Sequence, residues 1–151
     1  MNIFVTVGTT KFDNLIKTVD KKLKDLDSEI TMQISNGEYK PKNFEFFEYT
    51  KDIKKYFIES DIIITHAGAG SIYELLELEK KIIIVPNLDR IDKHQKDIAN
   101  YMDSNGYAKK LDSFDRLIET IDFVVNNNFK KFEKEIFFKA NEILEHISIS
   151  K

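Results

Sequence analysis

Apolar positions along the chain follow two periods in turn. Residues 2–7, NIFVTV, form a short apolar run that reads as a buried strand closed by GTT at 8–10. Phe12, Leu15, Ile16, Val19, Leu23 and Leu26 then recur every three or four residues, the spacing of one helix face. EITMQI (29–34) and FEFFEY (44–49) read as strands, with Gly37 and Pro41 marking a loop between them, and residues 51–59 as a short helix. DIIIT (61–65) and KIIIVP (81–86) are strands on either side of a helix predicted over 71–79. A polar loop leads to a helix from Lys93 to Asn105 that Gly106 caps, then to YAKKL (107–111) as an edge strand. Two further helices close the chain.

Strands alternating with helices predict βαβ units and a parallel sheet, an α/β fold of Rossmann-like type flanked by helices. The wholly apolar strands at 62–64 and 82–85 agree, because such sheets are covered on both faces. Ligands of these folds sit at the carboxyl ends of the strands. That edge collects GTT, HAGAG and PNLDRIDKHQ, the polar, glycine-bearing loops of the chain.

Composition narrows the picture. The chain has 151 residues, 42% hydrophobic and 32% charged, which suits one soluble domain over 1–151. A net charge of -3, with only Arg90 and Arg116 among the arginines, gives no basic footprint and argues against a nucleic-acid partner. With no cysteine there are no disulfides, thiolate metal sites or cysteine nucleophile. MNIFVTVGTTKFDN has neither the basic nor the apolar region of a signal peptide, and no apolar run approaches the ~20 residues of a membrane span. The expected location is cytoplasmic.

The stretch ITHAGAGSIYEL (64–75) holds the candidate chemistry. Gly68 and Gly70 allow backbone to approach a ligand closely. Ser71 is a natural N-cap, and a helix start there would present backbone N–H groups to a phosphate. Glu74, three residues on, has two readings. It can close a capping box with Ser71, or it can accept hydrogen bonds from vicinal sugar hydroxyls. His66 is either a strand-end histidine bonded to backbone or a site residue, and GTT either an ordinary turn or a set of phosphate donors. Other motifs fail. GAGSIY has Tyr73 where a dinucleotide fingerprint needs its third glycine, and neither a P-loop nor a nucleophile elbow is present. Asp25-Leu26-Asp27 has the form of a metal-binding Asp-x-Asp but sits at a predicted helix end with no strand before it.

FVTVGTTKFDNLI (4–16), SDIIITHAGAGSIYELLELEKKIIIVPN (60–87) and DKHQKDIANYM (92–102) together resemble the C-terminal, donor-binding domain of glycosyltransferase family 28. They are most similar to the free-standing small subunit of split transferases. Such enzymes include the two-part GlcNAc transferase of dolichol-linked oligosaccharide synthesis and two-part bacterial enzymes of capsule and exopolysaccharide synthesis. The resemblance runs from residue 2 to about 110.

It implies the C-terminal half of a GT-B fold that binds a UDP-sugar, and a membrane-associated partner subunit that binds a lipid-linked acceptor and carries the catalytic base. It implies inverting transfer with no metal and no cofactor beyond the UDP-sugar substrate. The partner would recruit the chain to the cytoplasmic face of the membrane. By the same resemblance Gly8, Thr9 and Thr10 face the diphosphate, with Gly68, Ala69, Gly70 and Ser71 at the phosphates on the helix N-terminus. Glu74 holds the ribose, backbone near Tyr49 and Thr50 reads the uracil edge, and Asp92, His94 and Gln95 face the donor sugar and phosphate. Asn87 follows the strand-ending proline as in the eukaryotic relatives, and His66 matches the split-subunit pattern as a phosphate-contacting or supporting group. Two other classes stand beside this reading, a non-catalytic enhancer of a partner transferase and an unrelated Rossmann-like nucleotide-binding protein. The apolar stripe at 129, 132, 136, 140, 143 and 147, widened by Phe137, Phe138 and Leu144, predicts a helix that packs on its own sheet. Its excess apolar width suits docking of the partner, within helices spanning about 113–147. The donor sugar and the acceptor are not legible from the residues.

Overall fold

A computed structural model describes residues 1–66, 68–87, 93–131 and 133. Strands β1 (Asn2–Thr6), β2 (Glu29–Gln33), β3 (Glu45–Phe47), β4 (Ile62–His66), β5 (Lys81–Val85) and β6 (Lys109–Lys110) form a six-stranded sheet. Its order is β3-β2-β1-β4-β5-β6, and every pairing is parallel. The helices are α1 (Asp13–Lys22), α2 (Ile53–Glu59), α3 (Ala69–Glu77), α4 (Lys93–Ser104) and α5 (Leu117–Asn126), the last preceded by a 3-10 turn at Phe114–Arg116. The predicted alternation is thus realised.

Period-two side chains send alternate strand residues to opposite faces. Ile3, Val5, Ile62, Ile64, Ile83 and Val85 meet Leu15, Ile16 and Val19 of α1 and Leu117, Ile121 and Val124 of α5. On the other face, Phe4, Ile63, Ile82 and Ile84 meet Phe57 of α2, Ile72 and Leu75 of α3, and Ile98 and Met102 of α4. The central strands are therefore buried on both sides, which is why β4 and β5 carry unbroken isoleucine. Of the closing segment, α5 packs on its own sheet while Ile118, Phe123 and Val125 stay exposed. Phe129 also packs against the α1/α5 core, and the stripe beyond it, at 132 and from 136 onward, lies outside the described residues.

At the amino edge two lysines close helix ends. Lys80 Nζ donates to the carbonyls of Ile58, in the last turn of α2, and of Ser60 just after it, and Lys81 Nζ to those of Val124 and Val125 in α5. Cations there satisfy the last carbonyls and the negative end of the helix dipole.

One crossover lacks a helix. Parallel strands are usually joined through one, yet residues 34–44 pass from β2 to β3 as a loop. Its backbone N–H groups need partners, and α1 supplies them. Asp13 accepts from Glu38 N–H at 3.2 Å and Tyr39 N–H at 3.4 Å. Asp20, buried, accepts from Lys42 N–H at 3.0 Å, Asn43 N–H at 2.9 Å and the Tyr39 hydroxyl at 2.6 Å. Burial opposes the Asp20 charge, but the Tyr39 hydroxyl and the Lys42 and Asn43 donors together outweigh it, so the carboxyl titrates below its ordinary 3.8. A depressed folded-state pKa gives stability that is present above the unfolded value and lost as pH falls through the folded one. Asp20→Ala should therefore destabilise the fold by about 3 kcal/mol at neutral pH, where several donors lose a charged acceptor. Urea unfolding should show this deficit shrinking below about pH 4. A deficit of equal size in acid would contradict the assignment.

Candidate functional site

The strand order reverses direction between β1 and β4, and folds of this kind bind ligands outside the carboxyl ends of the strands at that reversal. The loops leaving these strands are GTT and HAGAGS. They meet through one side chain. Gly8 has φ +65°, and a Cβ on it would lie 2.8 Å from His66 Cε1. A Cβ on Gly68 would lie 2.7 Å from His66 Nε2. The imidazole at the end of β4 therefore occupies the space that side chains at both positions would need. Gly8, His66 and Gly68, singled out separately in the sequence, form one contact.

Helix α3 begins earlier than expected. Gly68, extended at φ -79° and ψ 120°, is its N-cap, and its carbonyl accepts the Ile72 N–H at 3.2 Å. Ser71 thus lies within the first turn and is not the N-cap, so the proposed capping box with Glu74 does not form. The reason is steric. The chain must turn against the His66 ring, where only a residue without Cβ fits, so the helix starts directly after Gly68. No side chain caps α3 and its first turn carries no acidic residue. A Cβ on Gly70 would meet nothing within 4 Å, so the backbone there faces open space. The positive end of α3 is accordingly open to an anion. Ala69 and Ser71 flank Gly70 in that turn, and Glu74, half-buried, lies one turn beyond.

The neighbouring loops complete the edge. Thr9 is exposed and Thr10 half-buried after β1. Tyr49 is exposed, its hydroxyl 2.8 Å from Ser35 Oγ. Thr50 Oγ1 accepts the Asp52 N–H at 3.1 Å just before α2. Asn87 and Gln95 are both buried, and Gln95 Oε1 accepts from the Asn87 N–H at 3.5 Å, linking α4 to the residue two past β5. His94 is half-buried beside it in α4, and Asp92 lies outside the described residues. One further residue belongs to this edge. Gln33, buried at the end of β2, bonds to Gly8 and to Glu48. Its only mark in the sequence was an amide at the end of the strand EITMQ.

A family described as glycosyltransferase family 28 C-terminal domain matches residues 2–148. The chain belongs to this family. Among curated relatives, the Homo sapiens UDP-N-acetylglucosamine transferase subunit ALG13 is 34% identical over 118 residues, 70% of this chain and 10% of that protein. A Finegoldia magna protein, UDP-N-acetylglucosamine--N-acetylmuramyl-(pentapeptide) pyrophosphoryl-undecaprenol N-acetylglucosamine transferase, is 37% identical over 68 residues, 45% of this chain and 18% of the relative. This family-28 chain thus spans a minor part of those relatives. Acinetobacter baumannii MurG superposes with a TM-score of 0.68 at 22% identity, covering 83% of this chain and 41% of that one. The solution structure of ALG13 superposes at 0.61 and 20% identity, covering 87% and 88%. These likenesses place the fold as the C-terminal half of a GT-B glycosyltransferase.

The His66 contact yields a double-mutant test. Gly68→Ala should cost about 1–3 kcal/mol through overlap with the ring. In a His66→Ala background the same change should cost little, giving a coupling of at least about 1 kcal/mol in denaturant unfolding. Gly8→Ala should stay costly in both backgrounds, because its positive φ alone strains an alanine. Additivity at Gly68 would refute the packing argument.

Proposed function

We propose that this chain is the donor-binding half of a two-part inverting transferase that takes GlcNAc from UDP-GlcNAc to a lipid-linked acceptor. The observation that carries the reading is the open, uncapped start of α3, set beside the Gly8 loop at the sheet reversal, with Glu74 one turn further on. Backbone N–H groups of Gly68, Ala69, Gly70 and Ser71, with Gly8, Thr9 and Thr10 opposite, would hold the diphosphate. Glu74 would accept from the ribose hydroxyls. Backbone at Tyr49 and Thr50 would read the uracil edge, and the Asn87, Asp92, His94 and Gln95 segment would face the donor sugar. The relatives' names, each a UDP-N-acetylglucosamine transferase, support GlcNAc as the sugar. The undecaprenol acceptor in one of them supports a lipid carrier.

In the reaction the acceptor hydroxyl oxygen bonds to the anomeric carbon while the bond from that carbon to the UDP oxygen breaks on the opposite face. The acceptor proton passes to a base on the partner subunit. Negative charge develops on the leaving diphosphate, where fixed backbone donors and the helix terminus stabilise it. That stabilisation requires no metal. No helix among the described residues is long and apolar enough to cross a membrane. The reading therefore assigns the membrane attachment to the partner, at the cytoplasmic face. Assembly of capsular or exopolysaccharide is the proposed setting.

The test is sugar transfer from a panel of UDP-sugars into lipid extract, using host membranes that lack this chain. Wild-type protein should restore transfer from UDP-GlcNAc. Glu74→Ala should raise the donor KM roughly ten- to hundredfold, the value of one or two hydrogen bonds to a charged group. Equal restoration by both proteins would favour an enhancer role, and restoration from another sugar alone would overturn the GlcNAc assignment.

A further inference from the structure

Gln33 is buried in the sheet, and both ends of its amide are engaged. Its Oε1 accepts from Thr6 Oγ1 at 2.6 Å, Val7 N–H at 3.1 Å and Gly8 N–H at 3.0 Å. Its Nε2 donates to the carbonyl oxygens of Gly8 and Glu48, each at 2.8 Å. Two backbone N–H groups on one side and two carbonyls on the other fix the amide orientation, because reversing it would set donor against donor. Gly8 is thus held at both its N–H and its carbonyl. Glu48 is the residue immediately before Tyr49. A single side chain therefore spans from the loop after β1 to the loop after β3, across the end of β2.

A buried strand position costs least when filled by an apolar residue. Phe4 and Ile63 fill this face one layer further into the sheet, whereas at its carboxyl end Gln33 lies in register with Thr6, and Thr6 with Thr65, all three buried. Five polar contacts converging on one amide, two of them with Gly8, form a strut between two loops. We infer that Gln33 is a positioning residue for donor recognition. It sets the separation between the base-reading loop at Tyr49 and Thr50 and the diphosphate-facing loop at Gly8 to Thr10, so that one nucleoside diphosphate engages both. This inference rests on the donor-site reading above. A strut of this kind matters most for a ligand that bridges both loops and little for fragments that touch one, because only the bridging ligand uses their relative placement.

The experiment is an amide chemical-shift titration of the full chain with UDP, uridine and inorganic pyrophosphate, for wild type, Gln33→Glu and Gln33→Asn. Gln33→Glu keeps the acceptor side and sets a carboxylate against two carbonyls. Gln33→Asn keeps the amide but is one methylene too short to reach both loops, and it serves if the first variant is unfolded. Both variants should lose about tenfold in UDP affinity, with uridine and pyrophosphate changed less than about threefold. In Gln33→Glu the UDP affinity should recover as pH falls from about 8 to about 5.5, because burial raises the pKa of the introduced carboxyl and its protonated form can again donate to Gly8 or Glu48. A role confined to stability would move the three ligands alike and show no such recovery. Variants that bind UDP as wild type does, or that weaken all three ligands equally, would overturn the inference. A wild type that binds no UDP would overturn the donor-site reading itself, and this inference with it.

Discussion

The space beside the His66 ring admits backbone and nothing larger. Cβ atoms at Gly8 and Gly68 would come within 2.8 Å and 2.7 Å of it. Carbon and nitrogen atoms pack favourably only near 3.5–4 Å, so the ring and the two loops specify one another. From that contact follow the left-handed turn at Gly8, the abrupt start of α3 and the absence of a capping side chain. The opening at the sheet reversal is thereby framed by backbone. A fold that instead placed a serine or aspartate at the N-cap would have gained a hydrogen bond of about 1 kcal/mol and closed the same opening.

Polar side chains hold the loops that the ladders do not. Buried Asp20 and half-buried Asp13 support a crossover that has no helix of its own, buried Gln33 ties two loops, and buried Gln95 accepts from Asn87. Each satisfies backbone groups that neither a strand nor a helix can reach. The expense of burying a carboxylate or an amide is offset only where several donors or acceptors converge on it. That convergence explains why Asp20 and Gln33 sit inside the molecule while most of the charged residues stay at the surface.

Much of this was legible in the chain. The isoleucine runs of β4 and β5 and the three- and four-residue spacing of α1 translate directly into two-sided burial and an amphipathic face. The loop glycines Gly8, Gly68 and Gly70 lie, as expected, at the carboxyl edge of the sheet. The start of α3 was not legible, because serine followed by glutamate at three residues is a good local capping signal, and the competing constraint came from His66, packed through space. Gln33 was missed for the same reason. Its partners lie 25 residues upstream and 15 downstream, and no local period marks it. The helix-free crossover was recognised only as a loop, since the acceptors that hold it belong to α1.

Rigidity of this edge bears on the chemistry proposed for it. Donors that stabilise a departing diphosphate are effective only if they already point at the charge before it develops, because reorienting them during the reaction would consume the energy gained. Loops built on glycine are the least suited to such order when left to themselves, since glycine loses the most conformational freedom on folding. Here that freedom is removed by packing on one side and hydrogen bonding on the other. His66 fills the space next to Gly8 and Gly68, and Gln33 holds both backbone groups of Gly8. Glycine would thus provide close access to a ligand while its neighbours impose the order, and the two requirements of the proposed anion-binding edge fall to different residues.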